Sequence, residues 1–227
     1  MSRDRVLVWD GCVNVRDLGG LPLEGGGETQ FGVVVRADSI SGLTDAGWQA
    51  LLEYGVTRVI DLRGDHERSG PEARVPVTRV PITPMSGPAW DWPSMREAYL
   101  AILEDWRPQF TRVVDVIAAS KEPVVVHCRG GRDRTGLAVA LILDAAGVQR
   151  EAISVDHARS DESWAPHNPS WIQEAADPAD RAKRLRITAA AGETMGEILA
   201  EVDKRYGGAA EYLDSSNIDT LVLRLRG

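Results

Sequence analysis

The chain has 227 residues, 43% of them hydrophobic, and a formal net charge of −8. That length supports one sizeable α/β core, and the acidic balance argues against a general nucleic-acid binder, whose surface is basic. No apolar run approaches the roughly 20 residues of a membrane-spanning helix, and two cysteines are too few for a disulfide scaffold.

In chain order, Val6–Trp9 and Phe31–Val35 read as strands around the flexible turn Gly25-Gly26-Gly27. Thr44 is placed to cap a helix running to Tyr54, with Gly55 as its stop. Val56–Leu62 reads as a buried strand, and Val75–Ile82 as an edge strand because of Pro76 and Pro81. Residues 83–93 form a loop with two tryptophans. Ser94 is placed to cap a helix through Trp106, and Pro108 suits the first turn of another ending near Ser120. Pro123–Val126 is the central strand, Arg134–Ala146 the helix after it, and Gln149–Arg159 is helical. Residues 160–191, with Trp164, Trp171 and three prolines, read as irregular chain and short helices. Glu193–Tyr206 is an amphipathic helix. Leu221, Leu223 and Leu225 alternate as in a strand, and the tail's structure is left open. One domain spans 1–227, with no linker and no internal repeat.

The most informative segment is His127-Cys128-Arg129-Gly130-Gly131-Arg132-Asp133-Arg134-Thr135-Gly136. A buried strand delivers a cysteine to its C-terminal end, a glycine-bearing loop follows, and a helix then begins. Inward-turned backbone N–H groups and the helix N-terminus make such a turn an anion cradle. Arg134 supplies a planar fork that matches two phosphate oxygens. Cys128 lies at the floor, where the same positive field favours a thiolate. A nucleophile beneath a bound phosphate implies phosphoryl transfer through a phosphocysteine. The expected phosphate-binding residues are Arg129, Gly130, Gly131, Arg132, Asp133, Arg134 and Thr135, and the expected catalytic ones Cys128 and Arg134.

The spacing Cys-x5-Arg-Thr resembles the cysteine-dependent phosphatases, and His-Cys-x-x-Gly-[Lys/Arg]-Asp-Arg-Thr-Gly is similar to the bacterial tyrosine and lipid phosphatases among them. Asn14-Val15-Arg16-Asp17-Leu18-Gly19-Gly20, Val59-Ile60-Asp61-Leu62-Arg63 and Tyr206-Gly207 to Tyr212-Leu213 resemble further blocks of that family, in family order over about residues 11–213. The resemblance implies a cysteine-phosphatase fold: a central, mostly parallel sheet flanked by helices, with a helical lid over the site in the region of 160–191. It also implies a protein-tyrosine phosphatase, or else a dual-specificity or phosphoinositide phosphatase, with inorganic phosphate as product. In that family the aspartate at position 133 is the proposed general acid. Asp91, 37 residues before Cys128, is the alternative. Other tyrosine phosphatases carry their acid on a Trp-Pro-Asp loop, but the order here is Asp91-Trp92-Pro93, so that motif does not match. Asp133 is preferred, although pairing with Arg129 or Arg132 would make it a poor acid.

Thr135 is placed to donate its hydroxyl to the Cys128 sulfur. His127 reads as a residue that orients the loop. Asp61 and Arg63 end a neighbouring strand and read as a supporting ion pair, Arg36 as a residue near the pocket mouth, and Asn14, Arg16 and Asp17 as a network beneath the loop. Arg129, Arg132 and Arg134 together imply a strongly cationic mouth. No metal or other cofactor is expected, since the four histidines lack ligand spacing. No secretory signal follows the N-terminus, so a cytoplasmic location is expected, with secretion by another route left open, as is the oligomeric state. Two rivals come from other classes. A pseudophosphatase that only binds phosphorylated partners would ordinarily have lost Cys128, Arg134 or Thr135, and rhodanese-type sulfur transfer fits a phosphate-sized loop less well.

Overall fold

The computed structural model describes residues 4–68, 70–83, 92, 94–189 and 193–227. Its centre is a five-stranded mixed sheet of β1 (Arg16–Asp17), β2 (Val34–Ala37), β3 (Arg58–Asp61), β4 (Val77–Arg79) and β5 (Val124–His127). The spatial order is β1-β2-β5-β3-β4. Only β1 runs antiparallel to its neighbour, and β2, β5, β3 and β4 are parallel. Ala37 of β2 and Asp61 of β3 both pair with His127 of β5. Three strands therefore finish level, and the loops that leave them converge on one edge, where parallel sheets bind their ligands.

The apolar run before Cys128 follows from burial on both faces. Val124 and Val126 join Val34 and Ile60 in the larger core, while Val125 joins Val35 and Val59 in the smaller one. A strand's period of two divides one unbroken apolar run between two cores.

On the smaller core lies α1 (Asp45–Glu53), whose N-cap Thr44 accepts a hydrogen bond from the Gly47 N–H, and which buries Trp48 and Leu51. On the larger core lie α2 (Met95–Asp105), capped by Ser94, and α3 (Arg107–Ala118), with Pro108 in its first turn. Beyond β5 comes α4 (Asp133–Ala145), buried at every position from Arg134 to Leu143. Such a helix is apolar all round because it has neighbours all round: α5 (Arg150–Trp164), α8 (Glu193–Tyr206), α9 (Ala209–Leu213) and α10 (Ile218–Arg226) pack against it. Between α5 and α8, α6 (Asn168–Gln173) and α7 (Pro178–Ala189) pack on each other. Among the described residues, no helix is long and apolar enough to cross a membrane.

Two local expectations change, and one left open is decided. Val6–Trp9 forms no strand, only the isolated bridge Val6↔Arg16, and Val6 and Val8 point to solvent. The helix expected to end at Arg159 continues to Trp164, so residues 160–164 belong to α5 and not to an irregular segment. The alternating leucines of the tail lie on a helix. Leu221 and Leu225, four apart, share its buried face, while Leu223 is 69% exposed. Chemical denaturation checks this register. Leu221→Ala or Leu225→Ala lowers stability by about 2–5 kcal/mol, and Leu223→Ala changes it by less than about 0.5 kcal/mol.

Candidate active site

Cys128 follows the last residue of β5 and is 2% exposed. The loop after it is shaped by what holds its carbonyls. The Arg129 carbonyl accepts from the Ser39 N–H at 3.0 Å. The Gly130 carbonyl accepts from Asn14 Nδ2 at 2.9 Å and from Trp164 Nε1 at 2.8 Å. The Gly131 carbonyl accepts from Arg36 Nη2 at 2.7 Å. The described residues contain no cis peptide, and in a planar trans unit the N–H points opposite the carbonyl. Fixing three carbonyls outward therefore turns the N–H groups of Gly130, Gly131 and Arg132 toward the inside of the loop, above Cys128. Gly131 has a positive φ of 65°, and a Cβ there would lie 2.4 Å from the Ala37 carbonyl oxygen, so only glycine fits. Gly136 leaves room for His157, whose Nδ1 a Cβ would meet at 2.6 Å.

The donors that hold the loop are themselves anchored on α5. Asp156, 1% exposed, accepts from Arg5 Nη2 at 2.5 Å, Arg16 Nε at 3.0 Å and Arg36 Nη1 at 2.7 Å. Ser160 Oγ accepts from Arg16 and Arg36, and Arg16 Nη1 donates to Asn14 Oδ1 at 2.6 Å. Desolvation opposes charge on Asp156, yet the three guanidinium groups hold its pKa far below the ordinary range. Burial, with repulsion from Arg36, lowers Arg16 to about 10 against the pull of Asp156. Asp17 turns elsewhere, accepting from the N–H groups of Gly19 and Gly32 and from the Tyr54 hydroxyl. On α5, residues 156, 157, 160, 161 and 164 form one polar stripe at helical spacing. The sequence reading passed over it, although a polar stripe on a helix that lies against α4 is the signal to look for. Arg36 is 1% exposed beneath the loop, not at the mouth.

Arg134 lies in the first turn of α4, with Nη1 and Nη2 each 2.6 Å from an oxygen of Glu67 and Nη1 also 3.1 Å from the Ile82 carbonyl. Three of its five N–H donors are thus committed, and the Nε–H with the second Nη2 hydrogen forms an edge that these bonds leave uncommitted. Burial works against its charge, but Glu67 and the nearby Cys128 hold the guanidinium pKa above its usual range. Glu67 was not foreseen, because nothing in its own segment points to a partner 67 residues away. Thr135 is fully buried, but its hydroxyl has no hydrogen-bond partner among the described residues, so the expected bond to the Cys128 sulfur is not made here.

Asp133, the first residue of α4, accepts from the Tyr99 hydroxyl at 2.6 Å. Arg132 is not its ion-pair partner: Nη2 pairs with Asp161 at 2.6 Å and Nη1 donates to the Ile187 carbonyl of α7 at 2.5 Å. Burial pushes the Asp161 carboxyl up to about 6, with Arg132 opposing and Asp133 adding to the rise. The expected strongly cationic mouth is therefore revised. Glu67 matches Arg134, Asp161 matches Arg132, and Arg129 is the exposed member. Asp91 lies outside the described residues.

Asp61 and Arg63 form a bidentate pair, and Arg63 Nη1 also reaches Ser39 Oγ and Ser41 Oγ. His127 Nδ1 lies 3.0 Å from the Cys128 carbonyl, which only accepts, so Nδ1 carries the hydrogen. Burial lowers the His127 pKa to about 4 and that of His157 to about 3, and both rings are neutral at pH 7. Cys12 is a poor resolving thiol, because burial and Asp38 push its pKa well up. No group of three or more His, Cys, Asp or Glu among the described residues is placed to hold a metal ion.

Residues 7–226 match the model described as the tyrosine phosphatase family. The chain belongs to this tyrosine phosphatase family. A tyrosine-protein phosphatase of Nostoc commune is 32% identical over 81% of this chain and 69% of its own length. The triple specificity protein phosphatase PtpB of Mycobacterium tuberculosis is 29% identical over 86% of this chain and 90% of its own length. The crystal structure of P. aeruginosa TpbA aligns over 74% of this chain and 86% of that one, with 17% identity and a TM-score of 0.38.

Two measurements test how this tyrosine phosphatase holds its site. Asp156→Asn leaves buried guanidinium groups without a counter-charge and lowers stability at pH 7 by about 3–5 kcal/mol, read by urea titration. The buried histidines set an acid-side window. With folded pKa values of about 4 and about 3 against an unfolded value of 6.5, the unfolded chain binds more protons within it. Their contribution is fully present above pH 6.5 and is lost as pH falls toward 4 and then 3. Melting temperature drops over this range, and His157→Gln reduces proton uptake on unfolding by about one.

Proposed function

We propose that this phosphatase hydrolyses phosphotyrosine on proteins through a phosphocysteine on Cys128. The observation that carries this reading is the outward fixing of the three loop carbonyls, which turns a ring of amides over a buried thiol beside the uncommitted edge of Arg134. That ring matches the equatorial oxygens of a transferring phosphoryl group and needs no reorganisation during reaction. The Cys128 sulfur attacks phosphorus; the S–P bond forms as the ester P–O bond breaks, and the Asp133 carboxyl gives its proton to the leaving oxygen. A water oxygen then attacks phosphorus, the S–P bond breaks to restore the thiolate, and the water's proton passes to Asp133.

A second phosphate on the substrate would have to displace Asp161 from Arg132, and phosphotyrosine meets no such cost; this favours a single phosphoryl group over a phosphoinositide. Broader use is the second reading. Exposed Arg129 favours it, as does the name of the triple specificity relative. The bond from Arg132 to α7 supports α6 and α7 as a cover over the site.

Hydrolysis of p-nitrophenyl phosphate without added metal tests the mechanism. The wild type turns over, Cys128→Ser does not, Arg134→Lys loses about 10²–10³-fold in kcat, and Asp133→Asn loses about 10²–10⁴-fold on phenyl phosphate, whose leaving group departs only with a proton. A folded wild type that binds vanadate without turnover would make the chain a phospho-ligand-binding module. A near-normal Asp133→Asn on phenyl phosphate would move the acid role to Asp91.

A further inference from the structure

Behind Asp133 lies a buried polar pair with no part in the chemistry above. Tyr99 of α2 is 1% exposed in the larger core, and its hydroxyl donates to Asp133 Oδ1 at 2.6 Å. The same hydroxyl oxygen lies 3.4 Å from His157 Nε2 on α5, and the two rings meet edge to face at 6.0 Å. The donor pattern follows from these contacts. The phenol has one hydrogen, and the shorter contact to the carboxylate takes it. His157 Nε2 must then carry a hydrogen and donate to the phenol oxygen. This leaves Nδ1 bare, and Nδ1 is indeed the ring atom without a hydrogen-bond partner among the described residues, facing Gly136. Burial keeps His157 neutral, and burial beside Asp133 raises the Tyr99 phenol well above its usual range, so Tyr99 is a permanent donor.

We propose that Tyr99, oriented by His157, is a positioning residue for proton transfer: its hydroxyl fixes one oxygen of Asp133, leaves the other to the ester, and stabilises the carboxylate formed once the proton has gone. This rests on the reading of Asp133 as the general acid. The contact is strongest to the charged form, which Asp133 becomes as the leaving oxygen departs. Tyr99 therefore matters in proportion to how much the leaving group needs a proton. p-Nitrophenol leaves readily as an anion, whereas phenol, with a pKa near the ~10 of tyrosine, does not.

The test compares kcat for p-nitrophenyl phosphate and phenyl phosphate in wild type, Tyr99→Phe, Asp133→Asn and the double variant, with melting temperature and vanadate binding as checks on folding. Tyr99→Phe is expected to lose about tenfold on phenyl phosphate and much less on p-nitrophenyl phosphate. It is expected to add nothing in the Asp133→Asn background, because two residues acting through one interaction are not additive. Equal losses on both substrates, or losses that multiply in the double variant, would overturn the proposal and leave Tyr99 a packing residue. Asp133→Asn alone separates this from failure of the underlying reading: without a larger loss on phenyl phosphate, Asp133 is not the acid and the proposal falls with it. If Tyr99→Phe does not fold, His157→Leu decides. It removes the orienting donor and is expected to give the same selective loss in smaller degree, and an unselective loss overturns the proposal.

Discussion

Asp156 receives Arg5, Arg16 and Arg36 on two carboxylate oxygens, so segments up to 151 residues apart meet at one buried group. Burying a charge costs several kcal/mol unless it is paired and hydrogen-bonded, and here each arginine has a second duty. Arg16 orients Asn14, which holds the Gly130 carbonyl, and Arg36 holds the Gly131 carbonyl directly. The phosphate loop keeps its inward amides because its outward carbonyls are tied to this hub. One carboxylate against three guanidinium groups also leaves surplus positive charge beneath the loop.

A division of labour follows from the sheet. β5 delivers Cys128, and the ends of β2 and β3 supply backbone and ion-pair support at the same level. The helix α4 begins at the loop, while α5 behind it contributes Asp156, His157, Ser160, Asp161 and Trp164 to hold the loop, its arginines and the Tyr99 that bonds Asp133. Charge is matched rather than accumulated. Glu67 fixes the Arg134 fork with one edge left over, and Asp161 occupies Arg132.

What the sequence disclosed divides by the range of the interactions. Thr44 and Ser94 cap helices through groups three residues away, so their elements were legible locally. The loop after β5 was legible because cysteine, glycines and arginine lie within one short segment, and the mostly parallel sheet was expected from the family resemblance. Glu67, Tyr99 and the polar stripe of α5 were not, since each takes its role from a partner 34 or more residues away. The tail was ambiguous because leucines at every second position satisfy a strand, while the two buried ones, four apart, satisfy a helix. Arg132 was placed in a cationic mouth without its counter-charge, because its partners lie on α5 and α7, which residue types alone do not bring to the loop.

Every described bond that holds the loop's carbonyls comes from the protein itself. On the proposed function, the loop's affinity for oxyanions is then not confined to the substrate. Inorganic phosphate released by one turnover meets the same amides and the same arginine edge as the next substrate, so the product competes for the seat it has just left. The same occupancy has a protective side. An oxyanion seated in the ring lies across the sulfur and bars the approach of peroxide, so this thiol is most open to oxidative damage when phosphate is scarce.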